Sequence, residues 1–274
     1  NRYTSDFDIC VKNNSETLNL ILENRCSIAR FGDGEFDIIA GNSIPYQEYN
    51  ETLAAELKEI IARQSDTHFM TCLPDVFENQ GRYNEACQSF WKGHLQAYRQ
   101  LYKDVCTAGW YGSTFVSRPY IDLADKSTVT GYFDRLKSLW DNRDVLIVEG
   151  KTTRSGVGND LFDNAKSLVR IIGPSKNAYR AIDRIESKIE EYGKNKLILL
   201  MLGPTAKVIS YHLYKKGYWL IDIGHIDSEY EWYKLGVVEK VKLPNKHTAE
   251  HNYDQDIVFD HDQVYESQIV ATVE

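Results

Sequence analysis

Arg30-Phe31-Gly32-Asp33-Gly34-Glu35 sets two carboxylates one residue apart, between glycines, at the end of an apolar run. Carboxylates so spaced can turn toward one ion, and Mg²⁺ or Mn²⁺ commonly binds one or two carboxylates together with substrate phosphates. Gly32 and Gly34 allow the backbone close to a ligand, and Arg30 adds a phosphate partner. The same residues also read as an acidic helix start in which Asp33 or Glu35 caps amides.

A second stretch, Glu149 to Asp160, reads EGKTTRSGVGND. It combines glycines, two threonines, a lysine and an arginine, the makings of an anion loop. Backbone amides ahead of a helix expected near Asn159 or Asp160, with Lys151 and Arg154 alongside, suit a pyrophosphate. The P-loop pattern is absent, and Leu161 stands where a dinucleotide fingerprint needs its third glycine. The alternative is an ordinary surface turn. In the third segment, Gly203-Pro204-Thr205-Ala206, Gly203 and Thr205 could meet a ligand, or the turn could be only a tight strand-to-helix connection. A fourth, Asp222 to Trp232, repeats the acidic spacing as Asp227-Ser228-Glu229 beside His225. A carboxylate or histidine there could deprotonate an acceptor hydroxyl or hold a metal, and could equally be structural. The tail with Asp254, Asp256, Asp260, His261 and Asp262 reads as a solvated acidic loop that could touch a metal. Neither GxSxG nor HExxH occurs.

Each of the four motifs follows a run of Ile, Leu and Val: residues 27–31, 144–149, 196–202 and 218–223. Such runs read as strands buried on both faces of a parallel sheet. Further strands are expected at 68–73, 168–172 and 268–273. Helical spacing marks 51–63, one long helix over 83–105, and 175–192 closed by Gly193. Strand alternating with helix predicts a Rossmann-like, doubly wound α/β domain with a mostly parallel sheet. With no linker or repeat, residues 1–274 form one domain, less regular after about 235. Ligands of open α/β sheets bind beyond the carboxyl ends of the strands, where all four motifs lie.

The net charge of −8 argues against nucleic acid as partner. It also means that a phosphorylated ligand needs local positive charge or a divalent cation. Five cysteines without a CxxC pair suggest reduced thiols in a cytoplasmic protein. No apolar run is long enough to span a membrane, and no signal peptide is evident.

SIARFGDGEF (27–36), VEGKTTRSGVGNDLF (148–162), LGPTA (202–206) and DIGHIDSEYEW (222–232), in this order, resemble the bacterial GT-D fold glycosyltransferase domain. The resemblance implies a UDP-sugar donor, a divalent cation (Mn²⁺, or Mg²⁺) and an Asp-x-Glu metal motif. Asp33 and Glu35 match that motif best, with Asp227 and Glu229 as rivals. It places Gly150, Arg154, Gly156, Gly158, Asn159 and Asp160 near the nucleotide, with Val157 between them, and Arg30, Gly32, Gly203 and Thr205 as further candidates. It further implies transfer of a hexose, glucose first, to a glycan on a serine-rich-repeat adhesin in streptococci and their relatives. The start at Asn1 would fit a domain of a longer glycosyltransferase. Other readings are a non-catalytic nucleotide- or glycan-binding module, or another nucleotide-dependent enzyme on a similar sheet.

Overall fold

The computed structural model describes residues 6–251, 254, 257–258 and 261–274. Asp256 and Asp260 of the acidic tail lie outside them.

The strands are β1 (Ser27–Arg30), β2 (Phe69–Leu73), β3 (Gly112–Ser113), β4 (Asp144–Gly150), β5 (Ser167–Gly173), β6 (Leu197–Met201), β7 (Trp219–Asp222) and β8 (Ile269–Thr272). They form one sheet in the order β3-β2-β1-β7-β6-β4-β5-β8, and every pair is parallel. The two-residue β3 carries too little apolar sequence to show a pattern.

The alternating side chains of the central strands feed cores on both faces. Val145, Ile147, Leu197, Leu199 and Ile221 pack with Phe133, Leu136, Tyr230 and Trp232 of the helices Val129–Lys137 and Ile226–Leu235. Leu146, Val148, Ile198, Leu200 and Leu220 pack on the opposite face with Ile185, Ile189, Ile209 and Leu213, from the helices Ile182–Tyr192 and Pro204–Tyr214. A third cluster joins Ala29, Phe69 and Leu73 to the helices Glu51–Ala62, Glu85–Ala97 and Arg99–Val105. Burial on both faces explains the continuous apolar runs. The fold is α/β with helices on both sides of a parallel sheet.

Two helix expectations need correction. The long helix over 83–105 is two helices, because Tyr98 leaves helical geometry at φ −105°, ψ 17°. No helix begins at Asn159 or Asp160: residues 151–166 are turns and bends. The second motif therefore presents no helix N-terminus to a ligand. After the helix Ile226–Leu235, closed by Gly236 at φ +68°, the next regular element among the described residues is Gln263–Gln268.

Candidate active site

A cleft of about 810 Å³ lies beyond the carboxyl ends of the strands, and residues just after β1, β2, β3, β5, β6 and β7 line it, with Gly150 at the end of β4. Its floor is built around Asp222. The Asp222 carboxylate accepts the Arg30 amide at 2.7 Å and pairs with Lys207 Nζ at 3.1 Å. Lys207 also donates to the Gly203 carbonyl at 3.0 Å and stands 3.8 Å from Glu35. One buried ammonium thus links the exits of β1, β6 and β7. The Arg30 guanidinium donates to the Thr114 carbonyl at 2.8 Å and lies against Gly224, where a Cβ would stand 2.1 Å from a guanidinium nitrogen. The φ of +57° at Gly224 suits glycine, and a side chain there would displace the Arg30 guanidinium.

Asp33 and Glu35 both line the cleft but differ in their bonds. Glu35 Oε1 accepts the Gly32 amide at 2.9 Å, so it caps the helix Asp33–Ile39 while facing the cleft. Burial, against the nearby Lys207, pushes its pKa up to about 7. Burial also raises the pKa of Asp33, with His94 opposing. The Asp33 carboxylate takes no side-chain hydrogen bond among the described residues.

The rival pair Asp227 and Glu229 lies outside the cleft lining. Asp227 accepts from the Gly156 amide at 2.8 Å and Asn159 Nδ2 at 3.0 Å, and pairs with Lys246 at 2.9 Å. Glu229 accepts the amides of Tyr120 and Ile121 at 2.9 and 3.0 Å. Both carboxylates are buried and tie loops to the helix Ile226–Leu235.

The 150–160 loop divides in the same way. Gly150, Thr152 and Thr153 line the cleft, whereas Arg154, Gly156, Val157, Gly158, Asn159 and Asp160 do not. Arg154, at φ +47°, lays its guanidinium 4.7 Å from the centre of the Tyr265 ring. The Val157 carbonyl accepts Lys246 Nζ at 3.0 Å, and Asp160 accepts the Tyr230 hydroxyl at 2.5 Å. Gly156, at φ +78°, sits where a Cβ would come within 2.5 Å of Phe162. Of the third motif, Gly203 lines the cleft while Thr205 is fully buried outside it.

His225 follows β7 with its ring open to the cleft. Desolvation by the cleft walls, and then the Arg30 and Arg118 guanidiniums, hold its imidazole far below the ordinary 6.5, with Glu250 opposing. The ring is neutral at pH 7. The unfolded chain then binds more protons than the native one just below pH 6.5, so this group makes stability fall as pH drops through that range. An NMR titration should leave the His225 ring neutral at pH 5; an ordinary midpoint near 6.5 contradicts this placement.

Sequence reasoning missed Arg118 and the segment around His247. Arg118 lines the cleft and pairs with Asp122 and Glu250, each at 2.6 Å. His247 and Glu250 come from a stretch without helical or strand periodicity, so no pattern signalled them. The Arg118–Glu250 pair joins residues far apart in sequence.

A parallel Rossmann-like sheet with a large cleft at its carboxyl edge, lined by charged side chains among apolar ones, defines a domain built to hold a substrate there. The chain belongs to the glycosyltransferase GT-D fold family, whose model matches residues 28–251. It is 56% identical over 97% of its length to the "Probable glycosyl transferase Gly" of Streptococcus gordonii. It is 54% identical, again over 97% of its length, to "Glycosyltransferase GlyD" of Streptococcus pneumoniae. The chain spans 39% and 33% of the lengths of these relatives. Among solved structures it matches "A New Glycosyltransferase (DUF1792) from Streptococcus sanguinis" at 55% identity and TM-score 0.96, covering 97% of this chain and all of that one. A second, described as having "a distinct glycosyltransferase fold", matches at 54% identity and TM-score 0.96, with 97% of this chain and 96% of that one covered.

Proposed function

We propose that the cleft binds a UDP-hexose, UDP-glucose first, with Mn²⁺ or Mg²⁺, and transfers the sugar to a glycan on a serine-rich-repeat adhesin. One observation carries the metal: four basic side chains (Arg30, Arg118, Lys207, Lys240) line the cleft against six acidic ones (Asp33, Glu35, Asp37, Asp122, Glu239, Glu250). Three of those cations already pair with carboxylates: Arg118 with Asp122, Lys207 with Asp222, and Lys240 with Glu250. A diphosphate entering this balance needs further positive charge.

The donors available fit a hard divalent ion. Asp33 has no side-chain partner among the described residues, and both motif carboxylates are raised in pKa by burial, a cost that a bound cation would offset. Asp33 and Glu35 would hold the ion, which supplies Lewis-acid stabilisation of charge on the departing UDP. Arg30 would meet phosphate oxygens from a guanidinium already fixed by Thr114 and Gly224. Lys207 would act through its charge while holding the exits of β1, β6 and β7 together. The close approach at Gly224 leaves the Arg30 guanidinium beside the backbone at the cleft floor.

A donor screen by mass spectrometry, with a glycosylated serine-rich-repeat peptide as acceptor, tests this reading. Transfer from UDP-glucose, abolished by EDTA and restored by Mn²⁺, is the expected result. UDP binding without transfer from any UDP-hexose would support a binding module instead.

A further inference from the structure

We propose that His247, oriented by Asp254, is the general base that deprotonates the acceptor hydroxyl, so that transfer inverts the anomeric centre. This rests on the sugar-transfer reading above.

His247 lines the cleft and is 9% exposed. Its backbone amide donates to the Thr152 carbonyl at 2.8 Å, and Lys246 beside it is pinned to Val157, Asp227 and Glu231. The ring is fixed as well. Nδ1 lies 2.9 Å from Asp254 Oδ1, and the other Asp254 oxygen accepts the Thr152 hydroxyl at 2.8 Å. An ionised carboxylate at this distance only accepts, so Nδ1 carries the hydrogen, and in the neutral ring Nε2 then holds the lone pair. Nε2 has no hydrogen-bond partner among the described residues. The Tyr46 ring meets the imidazole edge-on at 5.2 Å, and the His225 ring lies 5.3 Å away. A base bonded to an orienting carboxylate is the arrangement that general-base catalysis uses.

The other cleft groups fit the task less well. The His225 ring has no hydrogen-bond partner among the described residues to aim it, and the Arg30 and Arg118 guanidiniums nearby weaken it as a base. Asp122 and Glu250 are bound to Arg118, and Asp37 accepts the Tyr98 hydroxyl. Glu239 is exposed at the rim, and Asp33 and Glu35 are assigned to the cation. Among the described residues, Asp254 on its own segment, His225 after β7 and Tyr46 from the loop after Asp33–Ile39 face His247.

In the step, the acceptor O–H proton passes to Nε2 and the oxygen's electron pair forms the new bond to C1. The C1–O bond to UDP breaks, and its electron pair leaves with the diphosphate. His247→Ala should lower kcat by about 10²- to 10⁴-fold, with UDP affinity held within threefold and imidazole restoring part of the rate. Asp254→Asn should shift the acidic limb of kcat/KM to lower pH, because the carboxylate supports the imidazolium; a purely structural role gives neither rescue nor a shifted limb. The product from an α-linked donor should be β by NMR. A His247→Ala rate within threefold of wild type, or a retained α-linkage, overturns the proposal while leaving sugar transfer standing. Absence of transfer by the wild-type chain removes both.

Discussion

Asp33→Asn is expected to lower hexose transfer by about 100- to 1,000-fold, the range seen when one charge-stabilising group is removed from an active site. UDP-glucose turnover with Mn²⁺ measures it. The fold should not suffer. Asp33 has no side-chain partner to orphan among the described residues, and its pKa is raised by burial. A carboxyl with a folded pKa above its unfolded one loses stability as pH rises past the unfolded value, so its ionised form at pH 7 is a stability cost. Asparagine removes that cost, and the melting temperature should stay level or rise. Activity lost while stability is kept is the pattern of a group held for function. Turnover near wild type in both Asp33→Asn and Glu35→Gln would sink the assignment.

Arg170→Met is expected to produce the largest loss of stability, about 3–5 kcal/mol. Arg170 on β5 and Glu149 on β4 are 2% and 0% exposed, and they pair at 2.8 Å. Without the guanidinium, Glu149 stays buried with no cation to balance it, held only by neutral donors such as the Ser155 amide at 3.1 Å. The arginine also donates to Gln268 and lies 4.9 Å from the Tyr265 ring, so its removal loosens the helix Gln263–Gln268 too. Urea denaturation reads the loss directly. The double variant Glu149→Leu with Arg170→Met should recover much of it, since an apolar pair leaves no buried charge. A loss below about 1 kcal/mol in the single variant would contradict this account of the pair.

The pair also shows where sequence reading stopped. The apolar runs at 144–149, 196–202 and 218–223 announced strands because strands buried on both faces leave little room for polar residues. The ligand edge followed from the rule for open sheets, and Asp33, Glu35, Arg30, Gly150, Gly203 and His225 do line one cleft. The 154–160 loop has the composition of an anion loop, but its direction is set from afar. Glu149 holds the Ser155 amide, Asp227 holds the Gly156 amide, and Lys246 holds the Val157 carbonyl. Lys246 lies 89 residues from the carbonyl it binds, and no local pattern encodes such a bond. Asp227 and Asp33 share a spacing to glutamate yet differ in surroundings, and that difference belongs to the tertiary structure. Asp254 looked like one acid among several in a solvated tail, while in the fold it orients His247.

The most direct test of the central claim is an anomalous-diffraction map from crystals grown with UDP and Mn²⁺. A manganese peak between the Asp33–Glu35 turn and the diphosphate, with the nucleotide over the carboxyl ends of β1, β6 and β7, is the predicted result. A peak at Asp227 and Glu229, or UDP bound in the cleft with no metal against Asp33, would contradict it.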